Sequence, residues 1–435
     1  MKKIHFIGIG GIGVSALAQY YFSSGHTISG SDLVSSQITE YLKEKGINIF
    51  IAPGEEIITS DLDLVIYSSA VRNDNPEYLK ALDLGIKTMS YPEALGELTK
   101  KYFTIAVSGT HGKSTTCAML SLILIKAGFD PTVIIGTKLA SFGNSNFRLG
   151  KSKYLLIEAD EWNASFLNYW PKAIGLTNIE TEHLDYYRNI EHIISVYSEY
   201  LSHLQNGILV VNKDDQNISK LKLPDQTRYC SLNDPQAGRL KEVLKVPGEH
   251  NLSNALLASA LAGELGIDDQ DIYSALGEFK GSWRRFEESE TVLNGKRITR
   301  IDDYGHHPTE IEATLKTVRE KFPNRPVWCV FQPHQYARTH YLFDDFVRVL
   351  RNNPIDKMIV ADIYDVSGRE NQQIKANLSS SKLVEAVSRD RVEYRPTEKI
   401  KIALAENIPA GAVLLVLGAG DIYTTIDTDA KKDQN

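Results

Sequence analysis

Ile4-His5-Phe6-Ile7-Gly8-Ile9-Gly10-Gly11-Ile12-Gly13 runs from a short apolar strand into a glycine loop, after which Ala16, Leu17 and Tyr20 share one face of a helix that stops at Gly25. A second strand ends at Asp32. Strand, loop, helix, strand is the βαβ unit of a parallel sheet. Gly8, Gly10 and Gly13 fit G-x-G-x-x-G, and Asp32 follows Gly13 by nineteen residues. Glycines let the backbone approach a diphosphate, the helix N-terminus supplies N–H donors and positive dipole, and the acid can hold a ribose hydroxyl. Any diphosphate-ribose ligand satisfies this pattern, so NAD, FAD and a UDP-sugar are all open at this point.

Outward from that unit the alternation continues. Residues 64–67 read as a strand and 77–84 as a helix, until Tyr91-Pro92; a new apolar strand begins at 103, placing a boundary near 98. A second α/β stretch has strands at 154–157, 173–176 and 208–211, a helix over 122–127 that ends at Gly128, and an alanine-rich helix over 254–265. The polar Asn294-Gly295-Lys296 marks a second boundary. Strands at 327–331, 358–361 and 413–417 build a third α/β stretch, and a charged tail, 427–435, is expected to fray. The expected fold is therefore α/β with three domains: Rossmann-like over 1–97, P-loop ATPase-like over 98–295, and Rossmann-like again over 296–435.

The bulk composition agrees. At 435 residues a prior of about 150 residues per domain gives roughly three, and 42% hydrophobic with 24% charged residues is the ordinary globular mix. Forty-eight basic against 55 acidic side chains leave a net charge of −7 with no basic tract, which excludes nucleic acid as the principal ligand. Cys117, Cys230 and Cys329 are scattered without metal-ligand spacing, as in a reducing cytoplasm. No apolar run reaches the ~18 residues of a membrane span and no signal peptide opens the chain, so a cytoplasmic protein without membrane insertion is expected.

The strongest chemical signal is Val107-Ser108-Gly109-Thr110-His111-Gly112-Lys113-Ser114-Thr115, between a predicted strand and helix. Small residues expose N–H groups, Lys113 suits β/γ-phosphates, and the Ser114 hydroxyl suits Mg2+. Val107 stands where the strict Walker pattern has glycine, yet every chemical part is present. Mg2+ prefers hard oxygen ligands, and Glu158 together with the Glu180-Thr181-Glu182-His183-Leu184-Asp185 cluster lies at strand ends, where α/β folds place ligands. Asp302-Asp303-Tyr304-Gly305-His306-His307-Pro308 and Phe331-Gln332-Pro333-His334-Gln335-Tyr336-Ala337-Arg338 put more acids, imidazoles and a guanidinium at strand ends. Adjacent histidines are also consistent with a simple capped turn. The arginines of Ser282-Trp283-Arg284-Arg285-Phe286 either hold a phosphate or bridge acids.

Taken together these stretches resemble the Mur ligase family over nearly the whole chain. The resemblance rests also on Ser29-Gly30-Ser31-Asp32, Ser68-Ser69-Ala70, Glu158-Ala159-Asp160-Glu161, Thr177-Asn178-Ile179-Glu180, His250-Asn251 and Gly418-Ala419-Gly420-Asp421-Ile422. It implies an ATP-dependent ligase in peptidoglycan precursor synthesis, with UDP-N-acetylmuramate and L-alanine as substrates, joined through an acyl phosphate. By that resemblance Gly10, Gly11, Ile12, Gly13, Asp32 and Ser69 hold the sugar nucleotide. Gly109, Thr110, His111, Gly112, Lys113, Ser114 and Thr115, with His250, Asn251, Asn254 and Arg285, hold ATP. Ser114, Glu158 and His183 are the implied Mg2+ ligands; Tyr304, His306, His334 and Arg338 line the amino-acid and acyl-phosphate site. Lys113, His183, His306, His334 and Arg338 are the implied catalytic set.

Three departures from the family pattern stand out. Gln335 occupies a position where arginine is usual, which keeps open a sister ligase that adds another amino acid or a peptide. Trp162-Asn163 replaces a common Ser-Asp, and Thr181-Glu182 differs from the usual pair before the metal-site histidine. An NAD-dependent oxidoreductase would leave the Gly109 loop without a task, and a non-catalytic scaffold would need neither Lys113 nor the acid and imidazole clusters.

Overall fold

The computed structural model describes residues 1–366 and 372–426; the tail expected to fray lies outside the described residues. Two compact units emerge, one formed by Met1–Thr181, Asn189–Lys245 and Leu252–Phe279, the other by Glu182–Arg188, Val246–Asn251 and the described residues from Lys280 on.

The first unit carries two sheets. Strands β1 (Lys3–Ile7), β2 (Thr27–Asp32), β3 (Asn48–Ile51), β4 (Leu64–Tyr67) and β5 (Thr88–Ser90) form a parallel sheet in the order β3-β2-β1-β4-β5. The order reverses between β1 and β4, and the register aligns Ile7 with both Ser31 and Tyr67. The glycine loop, Asp32 and Ser68-Ser69 therefore leave the sheet at one edge, at the switch point where α/β sheets open a crevice.

The other sheet comprises β6 (Phe103–Ser108), β7 (Thr132–Leu139), β8 (Ser145–Arg148), β9 (Tyr154–Ala159), β10 (Ala173–Leu176), β11 (Ile208–Asn212) and β12 (Arg228–Cys230), ordered β12-β11-β10-β6-β9-β7-β8. Only the β7–β8 pair is antiparallel. Ile105, Ala106, Val107, Leu155, Leu156 and Ile157 are fully buried, the continuous apolar run of strands covered on both faces. Because β6 lies between β10 and β9, with Ser108 level with Leu176 and Ala159, three loops emerge side by side: Gly109 onward, Asp160-Glu161, and Thr177-Asn178.

The second unit holds β13 (Glu287–Leu293), β14 (Lys296–Asp303), β15 (Val327–Phe331), β16 (Lys357–Val360), β17 (Val392–Tyr394) and β18 (Val413–Leu417), in the order β13-β14-β18-β15-β16-β17. All neighbours are parallel except β13–β14. Apolar clusters on its two faces, one including Ile311, Leu315 and Phe346 and the other Ile400, Leu404 and Ile408, bury the sheet.

Two expected breaks read differently in the structure. Asn294-Gly295 is the turn of the β13–β14 hairpin and lies inside the third sheet: both residues have positive φ, 49° and 75°, as a two-residue primed turn demands. Tyr91-Pro92 opens the helix Tyr91–Thr99, with proline in its first turn and a Ser90/Glu93 capping box. That helix runs past the boundary expected near 98, so the chain crosses between sheets after Thr99. Gly128 behaves as expected: at φ 75° it follows the helix Lys113–Lys126 and donates to the Ile125 carbonyl at 3.1 Å, a left-handed helix stop. Among the described residues no helix is long and apolar enough to cross a membrane, and the three cysteines are free thiols, all buried.

Candidate active site

The glycine loop of the first sheet is shaped by the end of β2. The Ser31 carbonyl accepts from Gly8 N at 2.8 Å and Ile9 N at 3.0 Å, and Asp32 Oδ2 accepts from Gly10 N at 2.8 Å. Asp32, expected to face the sugar nucleotide, thus also holds the loop in form. The helix Ile12–Ser23 starts immediately after, with Gly11 as its N-cap, so its first N–H groups have no intrahelical partner. A Cβ at Gly13 would lie 2.7 Å from the Tyr91 hydroxyl, so the third glycine of the motif admits an aromatic ring. Ser69 follows β4, half-buried, at the same sheet edge.

The second loop is built as the sequence implied. Gly109 and Gly112 have φ of 132° and 82°, and a side chain at either would strike Thr177 or Asn254. Neighbouring strand ends fix the loop: Asn178 Oδ1 accepts from His111 N at 2.8 Å, Thr177 Oγ1 donates to the His111 carbonyl at 2.6 Å, and Thr110 Oγ1 accepts from Glu180 N at 2.8 Å. The His111 Nε2 and Glu180 Oε2 atoms also lie 3.6 Å apart.

Lys113 Nζ donates to the carbonyls of Gly109 (2.5 Å) and Thr110 (3.1 Å) and to Glu161 Oε2 (2.8 Å). Burial opposes its charge, but Glu161, Asp160 and Glu158 outweigh that and hold it above the ordinary lysine value. Glu161 is pushed up to about 7, chiefly by burial, with Lys113 opposing and Asp160 reinforcing the rise. Ser114 Oγ donates to Glu158 Oε2 at 3.0 Å, and Glu158 Oε1 accepts from Gly136 N at 2.7 Å.

Two of the three implied metal ligands, Ser114 and Glu158, are therefore brought together in one unit, and a hydroxyl beside a carboxylate is a hard-oxygen pair that suits Mg2+. His183 belongs to the other unit. Trp162-Asn163 lies where the backbone is unusual, with Asn163 and Ala164 at φ 53° and 51°.

In the second unit Arg338 is the hub. Its Nε donates to Glu182 Oε1 at 3.0 Å, with Oε2 at 3.2 Å, and Nη1 meets His334 Nδ1 at 3.2 Å and the His334 carbonyl at 3.0 Å. Burial alone would raise Glu182, but the Arg338 guanidinium holds it well below the usual carboxylate range. Ring contacts link Tyr304 to His306 (5.5 Å) and His306 to His334 (5.9 Å). Burial, reinforced by Arg338, pushes His306 down to about 3, so its ring is neutral at any working pH. Arg285 lies 3.7 Å from Glu310 and over the Tyr304 ring.

Other members of the expected clusters are engaged in local structure. His307 makes the capped turn that adjacent histidines are consistent with: its ring accepts from Thr309 N at the head of the helix Pro308–Lys321. Asp303 accepts from Phe286 N and Gly305 N, and Asp302 pairs with Arg300. Arg284 is buried, donating to the Gly418 carbonyl and lying over the Tyr423 ring. Gln335 has φ 73° and ψ 131° and His183 φ 54°. Such non-glycine strain, about 1–3 kcal/mol each, gathers at functional sites. Both line one cleft with Arg338, Asp185 and Tyr341.

His250, Asn251 and Asn254 all lie on the helix Glu249–Glu264, with positions 250 and 254 one turn apart on one face. Asn251 Nδ2 donates to the Pro247 carbonyl, and burial lowers His250. The sequence places Glu161 and Asn178 only within family-like stretches and Glu182 only within the acidic cluster offered as Mg2+ ligands, and it gives Glu310 no role. Each sits close to a motif that was read, and the available signal was position: just past a strand end, or one helical turn beyond His306.

Three α/β sheets, two of which open into glycine loops suited to phosphate, define a nucleotide-binding enzyme class. The chain belongs to the Mur ligase family: it matches the family's catalytic domain over residues 3–103, its middle domain over 107–232 and its glutamate ligase domain over 284–420. It is 40% identical to the UDP-N-acetylmuramate–L-alanine ligase of Acetivibrio thermocellus, covering 97% of this chain and 94% of that protein, and 39% identical to that of Aquifex aeolicus, covering 97% and 96%. The crystal structure of the UDP-N-acetylmuramate–alanine ligase of Thermotoga maritima superposes with a TM-score of 0.80 at 29% identity, covering 98% of this chain and 97% of the other. A murein peptide ligase from Psychrobacter arcticus shares the fold, with a TM-score of 0.74 at 23% identity.

Proposed function

We propose that the chain is an ATP-dependent ligase that joins L-alanine to the lactoyl carboxylate of UDP-N-acetylmuramate, acting in the cytoplasm in peptidoglycan precursor synthesis. The observation that carries this reading is the 40% identity over 97% of the chain to a ligase of that name. The first sheet's glycine loop, with Asp32 and Ser69, receives the sugar nucleotide. The second loop receives ATP, with Lys113 at the β/γ-phosphates, and His250, Asn251, Asn254 and Arg285 complete the nucleotide site. Ser114, Glu158 and His183 would hold Mg2+, whose chemistry is to neutralise phosphate charge during transfer.

In the reaction the lactoyl carboxylate attacks the γ-phosphorus of ATP, giving an acyl phosphate and ADP. The alanine amine then attacks the acyl carbon, and the tetrahedral adduct expels phosphate and loses a proton to leave the amide. The protein's task is charge neutralisation and positioning, and no side chain need become a nucleophile. Lys113 moves its ammonium from loop carbonyls and Glu161 toward phosphate oxygens. Arg338 faces the anionic acyl phosphate or the alanine carboxylate, and neutral His306, with His334 and Tyr304, borders the attacking amine.

Gln335 supports a second reading, a sister ligase taking another amino acid or a peptide, because the family's usual cation is missing from the Arg338 cleft. Phosphate release with UDP-N-acetylmuramate, ATP, Mg2+ and each amino acid in turn, with a peptide as control, separates the two. Dependence on L-alanine is expected, and dependence on a peptide would replace the first reading with the second.

A further inference from the structure

The helix Tyr91–Thr99 connects the two sheets of the first unit, and its first residue faces the glycine loop. The Tyr91 ring lies against the Gly13 backbone, where a Cβ would meet its hydroxyl at 2.7 Å and Cζ at 2.8 Å. The ring is held there from both ends of its helix. Ser90 and Glu93 close a capping box at the start, and Gly96 packs so closely on the loop 162–168 that a Cβ would lie 2.4 Å from the Asn168 carbonyl. Burial, with the charges of Glu158 and Asp160 adding to it, holds the Tyr91 phenol above the ordinary tyrosine value. It is half-buried, and no hydrogen bond occupies its hydroxyl among the described residues. A protonated phenol thus stands against the first turn of the glycine-loop helix.

We propose that Tyr91 is a substrate-positioning residue, its hydroxyl donating a hydrogen bond to an anionic oxygen of the sugar nucleotide beside Gly13. The geometry explains both residues at once: glycine at 13 makes room for the ring, and the ring carries a donor to where the helix's free N–H groups already favour negative charge.

This inference rests on the sugar-nucleotide reading of the glycine loop, so the test separates the two. Binding of UDP-N-acetylmuramate to the wild-type chain comes first; its absence would overturn that reading and this inference with it. Given binding, Tyr91→Phe should raise the KM and Kd for UDP-N-acetylmuramate about tenfold, the scale of one hydrogen bond to a charged group, while the KM for ATP and the melting temperature stay near wild type. Unchanged sugar-nucleotide affinity would overturn the proposal. So would an equal loss of affinity for both substrates with a lowered melting temperature, which would make the ring a packing wedge.

Discussion

The two units each bury a cation against a glutamate, and they do so with opposite results. Lys113 and Glu161 are 14% and 3% exposed, Arg338 and Glu182 5% and 7%. Glu161 is pushed up to about 7 because burial outweighs one ammonium that it shares with two loop carbonyls. Glu182 is held well below its ordinary range, because a guanidinium reaches both its oxygens. The difference separates a mobile charge from a fixed one. Lysine's ammonium is a point charge on a flexible stem that can exchange a carboxylate near neutrality for a phosphate, whereas arginine's planar fork is fixed by its partners.

Removing each cation should expose that contrast. Lys113→Ala should lower turnover by roughly two to three orders of magnitude, the scale for losing one preorganised charge stabiliser, with little loss of stability, since Glu161 can simply take up a proton. Near-normal ligation would sink the assignment of this loop to ATP. Arg338→Ala should lower turnover less, by about one to two orders of magnitude, and cost about 3 kcal/mol of stability, because an ionised Glu182 is left buried and alone. Turnover by the folded fraction and a thermal melt of the intact chain read the two effects. A melt shift with normal turnover would remove Arg338 from the active site.

Both cations were legible in the sequence, but neither carboxylate was legible as the partner of its cation: Glu161 stood only in a family-like stretch, and Glu182 in a cluster offered as Mg2+ ligands. Lys113 and Arg338 sit in stretches whose local chemistry is distinctive, a phosphate loop and a polar exit from β15. Glu161 and Glu182 are ordinary acids until β6, β9 and β10 are laid side by side, or until residues 182–188 join the unit that carries Arg338. Tertiary pairing of this kind leaves no periodic mark.

The buried strands β4, β10, β15 and β18 were legible to the residue, because continuous apolar runs are hard to read otherwise. Short or polar edge strands such as β8 (Ser145-Asn146-Phe147-Arg148), β12 and β13 were not, since they carry too few apolar residues to form a run. Asn294-Gly295 shows the other kind of loss: the hairpin signal was present, but read as a break between domains it moved the start of the third sheet.

The finest test of the comparison is the pH dependence of stability, where the two glutamates should act with opposite sign. A carboxyl whose native pKa is raised binds its proton more tightly when folded. Glu161's contribution is therefore fully present below the unfolded value of about 4.3 and is lost as pH rises through about 7. Glu182, lowered in the native state, contributes stability above about 4.3 that is lost as pH falls through its native value. Against Glu161→Gln, the wild-type melting temperature should fall by on the order of a few °C between pH ~4.5 and ~7. Against Glu182→Gln, the wild-type advantage should instead shrink on acidification below pH ~4.3. If both differences moved in the same direction, the two pairs would be electrostatically alike, and the distinction between a transferable lysine and a fixed arginine would have to be given up.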